Sequence, residues 1–143
     1  MKFVISWFCL TVSALAFAQS PTPAGAWKTI DDATGKEKAV VRITEANGVL
    51  TGKVEKLLDP AKLDSKCDEC SDSRKGQPVL GMTILRNVKK GDSYWEGGDI
   101  LDAANGKVYR VHLTPSADNK TMDVRGYIGM PMLGRTQKWI RVE

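Results

Sequence analysis

Ala39-Val40-Val41-Arg42-Ile43-Thr44-Glu45-Ala46-Asn47-Gly48-Val49-Leu50-Thr51-Gly52-Lys53-Val54-Glu55-Lys56-Leu57 reads as two β-strands joined by a tight turn. Ala39, Val41 and Ile43 point one way, and Val40, Arg42 and Thr44 the other. That period of two is the signature of a strand with one buried and one wet face. Asn47-Gly48 supplies the positive backbone φ angles that a two-residue hairpin turn requires.

The same grammar extends outward. The spacing predicts eight strands: Ala26–Ile30, Ala39–Glu45, Val49–Leu57, Leu80–Asn87, Tyr94–Leu101, Val108–Thr114, Thr121–Ile128 and Thr136–Val142. Leu80, Met82 and Ile84 share a face, as do Met122, Val124, Gly126 and Ile128. Two loops repeat one pattern, Asp31-Asp32-Ala33-Thr34-Gly35-Lys36 and Asp102-Ala103-Ala104-Asn105-Gly106-Lys107. In each, an Asp can accept from backbone amides and a Gly can close the turn. Neither has the alternating oxygen ligands and terminal Glu of a calcium loop, so both read as turns. Near-sequential hairpins favour an all-β, eight-stranded up-and-down antiparallel barrel over a two-sheet sandwich. Glycines within the strands (Gly52, Gly81, Gly97, Gly98, Gly126) fit the sharp bends of a barrel.

Leu58 to Val79 breaks the rhythm. This insert contains Pro60, Cys67, Cys70, Gly76 and Pro78, with a short helical turn expected near Pro60–Leu63. Loops of this length are often functional.

The N-terminus sets the compartment. Lys2, an apolar run from Phe3 through Phe17, and Ala16-Phe17-Ala18 have the order of a secretory signal peptide cleaved after Ala18. The run is shorter than the ~20 residues of a membrane span. Residues 1–18 are therefore read as the signal peptide, 19–24 as a flexible leader and 25–143 as one barrel domain. The mature chain, Gln19 to Glu143, has 125 residues. Loss of Lys2 leaves 20 of the 21 basic residues against 17 acidic ones, a net charge of +3. The two signs are interspersed, unlike a phosphate-tracking stripe, so nucleic acid is not an expected partner. The expected location is periplasmic or secreted.

In such a compartment Cys67 and Cys70 are expected to pair as a disulfide. A redox pair is the less favoured reading, because adjacent Asp68 and Glu69 would raise a thiol pKa. Zinc is weaker still, since a closed site needs four ligands and the sole His, His112, lies on a distant strand. His112 reads as a strand residue. Asp99 and Asp102 flank a turn and read as structural. No nucleophile elbow, zincin helix or phosphate loop is present. Neither an enzyme, a metal nor a cofactor is expected.

The aromatics carry more. Trp27 opens the first strand and Arg141 closes the last, so barrel closure would bring them together for a cation–π contact. On the last strand Arg135, Gln137, Trp139 and Arg141 share one face; Thr136, Lys138, Ile140 and Val142 share the other. The pattern leaves open which faces inward. If the Trp face does, Gln137 and an arginine give the interior a polar end. Arg125 and Tyr127 oppose the apolar Met122–Val124 face and are expected to point outward.

Gly25-Ala26-Trp27 at the start of a meander with a late Arg resembles lipocalins. The likeness is closer to secreted bacterial proteins classed as a domain of unknown function with a lipocalin-like barrel. It rests on Gly25 to Asp31, the Cys67/Cys70 loop with Lys75-Gly76-Gln77-Pro78 and Gly81, Trp95 to Asp102, and Arg125 to Gly129 leading to Gly134-Arg135-Thr136-Gln137-Lys138-Trp139-Ile140-Arg141. It spans essentially the whole mature chain. One departure is Ala103, where that family more often has Pro. The resemblance implies a calycin-type barrel and brings no settled activity.

The leading expectation is a barrel that binds a small apolar or amphipathic ligand through Trp27, Met82, Trp95, Tyr109, Gln137 and Trp139. The rival is a filled barrel that contacts a protein or the cell envelope through Arg125, Tyr127 and Arg135. A third reading centres redox or metal chemistry on Cys67 and Cys70.

Overall fold

The computed structural model describes residues 11–15 and 20–143. Residues 1–10 and 16–18 of the expected signal peptide, with its cleavage site, lie outside the described residues. Among those described, no helix is long and apolar enough to cross a membrane.

The chain forms β1 (Gly25–Ile30), β2 (Glu37–Ala46), β3 (Val49–Leu57), β4 (Thr83–Lys90), β5 (Trp95–Glu96), β6 (Asp99–Leu101), β7 (Val108–Pro115), β8 (Thr121–Tyr127) and β9 (Arg135–Arg141). Two single 3₁₀ turns, Pro60–Lys62 and Pro131–Leu133, are the only helical elements described. Strands adjacent in sequence pair antiparallel, except β5 and β6, which do not pair with each other. β9 returns to β1, which closes the sheet on itself. β5 and β6 together fill one strand position between β4 and β7, so the ring is an eight-stranded barrel.

The expected strands differ from the observed ones in three places. Tyr94–Leu101 is broken between β5 and β6 by Gly97-Gly98. Gly98 packs so tightly on β4 that a Cβ would lie 1.9 Å from the Arg86 carbonyl oxygen, so only glycine fits. The strand expected from Leu80 begins at Thr83, because Val79 to Met82 form a turn held by Met82 N–H to Val79 O. Leu80 consequently leaves the face it was assigned and is 47% exposed, while Met82 and Ile84 are buried. Ile128 likewise falls just beyond β8 and is 60% exposed.

The matched loops fold as matched turns. Asp31 Oδ1 accepts from the amides of Ala33 and Thr34, and Asp102 Oδ1 from that of Ala104. Those amides hold the Asp31 carboxyl below its usual range.

Inward-facing residues pack into a core that includes Trp27, Ile43, Leu50, Leu85, Leu113 and Met122, each almost fully buried. These cluster toward the end where β2 turns into β3. At that base the Arg141 guanidinium lies 4.2 Å from the centre of the Trp27 ring. It donates to the carbonyls of Thr22, Ala24 and Asn119, and to Asn119 Oδ1. Trp27 Nε1 donates to Pro23 O at 2.7 Å. Thr22 to Ala24, read from sequence as flexible leader, are therefore part of the base. Two side chains with buried donors require those carbonyls as acceptors.

Candidate functional site

The other end of the barrel is open. Four connections border it: the turns after β1 and β6, the insert between β3 and β4, and the segment between β8 and β9. They surround a cavity of about 1460 Å³ that runs into the barrel. Its apolar wall includes Val41, Val54, Ile84, Ile100, Leu101 and Val124.

β9 settles the face that its sequence left open. Trp139 is 2% exposed and lines the cavity, whereas Ile140 on the opposite face is 44% exposed. The Trp face points inward. Trp139 Nε1 donates to Gln137 Oε1 at 3.2 Å, and Gln137 Nε2 donates to Asp32 Oδ2 at 3.1 Å. Arg135, at the rim, approaches the same Asp32 oxygen at 3.2 Å. A chain of polar contacts thus runs from the buried indole to the mouth. It bridges β9 to the loop after β1 beyond the point where their backbone pairing, Trp27 with Arg141 and Lys28 with Ile140, has ended.

Two further polar groups reach the cavity. Thr29 is 8% exposed, and its side chain borders the cavity. The Tyr109 hydroxyl accepts from Asn105 Nδ2 at 3.3 Å, leaving its own proton available.

Of the six expected lining residues, Tyr109, Gln137 and Trp139 border the cavity. Trp27 lies in the base under Arg141. Met82 and Trp95 pack into and against the core without bordering the cavity. Residues that sequence reasoning did not select, above all Thr29, Asp32, Val54, Val124 and Ile84, complete the site.

The three residues expected to form an outer interaction surface are engaged within the chain. Arg125 donates to Pro131 O and Thr136 Oγ1. The Tyr127 hydroxyl meets His112 Nε2 at 3.2 Å. Arg135 pairs with Asp32. His112 is held between two aromatic rings, stacked on Tyr94 at 3.9 Å and edge-on to Tyr127 at 4.9 Å, with Glu96 Oε2 3.9 Å away. Asp99 and Asp102 do not form a carboxylate pair. Asp99 binds Arg86, and Asp102 holds its own turn.

The long insert is a fastened arm beside the mouth. Asp59 caps its 3₁₀ turn through Ala61 N–H, and Lys66 bridges to Pro78. Cys67 and Cys70 are joined in a disulfide and are 0% and 1% exposed. Cys67 Sγ lies 3.6 Å from Ala103 O, in the loop after β6. Arg74, 9% exposed, grips Asp72 and donates to Thr83 O at 2.9 Å, tying the arm to the start of β4. Its guanidinium holds the Asp72 carboxyl down to about 2. The buried sulfurs present no accessible thiolate, and the pair acts as a brace.

Comparison with known proteins agrees with this architecture. No curated protein matches the chain. Protein HP1028 from Helicobacter pylori, described as belonging to the lipocalin family, superposes with a TM-score of 0.74 at 20% sequence identity, covering 87% of this chain and 85% of that one. Residues 25–141 match the family described as an uncharacterized protein conserved in bacteria. The chain belongs to that family, DUF2147, and has a lipocalin-like fold.

Proposed function

We propose that this protein is exported through its N-terminal segment and binds a small, partly apolar ligand inside the barrel. The cavity of about 1460 Å³ carries the reading, because it is concave, largely apolar and furnished with a few oriented polar groups. A barrel of eight strands has room either for packed side chains or for one small ligand. Here the base is packed and the mouth half is open. The likeness to a lipocalin-family protein supports the same use of the fold.

Titration with an uncharged naphthylamine fluorophore tests the reading. Saturable binding is expected, and Val124→Phe, which places a larger ring in the wall, is expected to weaken it several-fold while circular dichroism stays unchanged. Equal binding by both proteins, or none by either, would overturn it.

A second reading rests on the segment after β8. Met130, Met132 and Leu133 are 55%, 73% and 75% exposed beside the mouth. That apolar edge suits contact with another macromolecule while the barrel serves only as scaffold.

A further inference from the structure

We infer that the ligand is an amphiphile with a cationic head and not a carboxylate, a conclusion that rests on the proposed binding role of the cavity. Glu37, Lys38 and Arg135 reach the cavity only from the first residues of β2 and β9, at the rim; the other polar side chains that line it from the strands are uncharged, among them the Thr29 and Tyr109 hydroxyls and the Gln137 amide. A charged head of either sign drawn among them would be desolvated without a countercharge, which is strongly unfavourable, so the head of a bound amphiphile belongs at the rim.

The rim sets the sign of that head. Seven acidic and five basic side chains border the cavity, on a chain whose overall formal charge is +4. One of the five, Arg135, is paired with Asp32, and one of the seven, Glu37, with Lys28 at 2.9 Å. Four lysines then face six carboxylates, which include Asp64, Asp68 and Glu69 on the fastened arm. The protein is basic and its mouth is acidic. A chain that fills the apolar wall and ends in an amine would leave its head among these carboxylates. The same chain ending in a carboxylate meets a like-charged rim, and the arginine placed to receive it is already held by Asp32.

The test uses the exported protein and three twelve-carbon probes, dodecylamine, dodecanol and dodecanoate, each displacing the uncharged fluorophore at neutral pH below micellar concentrations. The amine is expected to bind about tenfold or more tightly than the carboxylate, with the alcohol between them. Raising salt from about 0.1 M to about 1 M, which shortens the screening length from about 10 Å to about 3 Å, is expected to narrow that ratio. The double variant Asp68→Asn/Glu69→Gln is expected to narrow it as well. Dodecanoate binding as tightly as the amine would overturn the inference and leave the binding barrel standing. Failure of the fluorophore and all three probes to bind would overturn the binding barrel itself.

Discussion

Arg141, on the last strand, covers the face of Trp27, on the first, at 4.2 Å, and the pair closes the base of the barrel. The contact joins the two ends of the chain, because the same guanidinium also gathers the carbonyls of Thr22 and Ala24. Burial lowers the pKa of this arginine, yet a guanidinium stays charged at neutral pH.

Removal of that group takes the donor from the half-buried carbonyls of Thr22, Ala24 and Asn119, while Asn119 Oδ1 keeps the Thr22 amide. Arg141→Ala is expected to destabilise the protein by about 2–4 kcal/mol in urea unfolding, from lost charge-assisted hydrogen bonds and the lost cation–π contact. Arg141→Lys is expected to recover less than half, because one ammonium cannot span acceptors arranged for a planar fork. A loss below about 0.5 kcal/mol for the alanine variant would show that the base closes without it.

Gly35 and Gly106 occupy equivalent places in the two matched turns, with φ of +71° and +73°, but only one is crowded. At Gly35 nothing lies within 4 Å of where a methyl would sit, so Gly35→Ala carries only the left-handed backbone penalty of about 1–2 kcal/mol. At Gly106 a methyl would lie 1.9 Å from Glu69 O. Gly106→Ala is expected to cost at least about 1 kcal/mol more and to raise amide exchange across Cys67 to Gln77. Equal losses would show that the arm does not depend on this close approach.

How much of this was legible beforehand follows from what a period of two encodes. Alternation tells inside from outside, so the strands and the barrel could be read from residues such as Val41, Ile43, Met122 and Val124. It says nothing about depth along the barrel axis. Trp27 and Trp139 both face inward, yet one lies in the base and the other lines the cavity, and no local pattern separates them. β9 carries apolar and polar residues on both faces, so its orientation emerged only from packing. Asp32 was visible as a turn residue; its reach to Gln137 and Arg135 depends on two segments about a hundred residues apart. The break at Gly97-Gly98 was marked by its glycines, but the Arg86 carbonyl that requires Gly98 comes from another strand.

The disulfide closes a very short ring, for which the chain-entropy model gives about 2 kcal/mol or less. Cys67→Ser/Cys70→Ser is expected to leave the barrel folded, to lower stability by no more than about 2 kcal/mol, and to increase exchange in the arm. Loss of the folded barrel would contradict the role of a local brace.

Asp72 gives the arm a dependence on acid. Hydrogen bonds from Arg74 lower its folded pKa to about 2, from the ordinary value of 3.8. A lowered carboxylate pKa contributes stability that is fully present above the unfolded value and lost as pH falls through the folded one. The arm is expected to stay docked at pH 5 and above and to loosen between about pH 4 and about pH 2. Asp72→Asn should show faster exchange in the arm at neutral pH and no further step in that acid window. An unchanged acid step in the variant would assign it to other carboxylates.

Native mass spectrometry of protein exported from a bacterial host through its own N-terminal segment addresses the central claim most directly. The expected result is a chain beginning at Gln19, two hydrogens lighter for the disulfide, that carries an organic adduct released on activation. A bare chain that remains bare after incubation with the twelve-carbon probes would contradict a ligand-binding barrel.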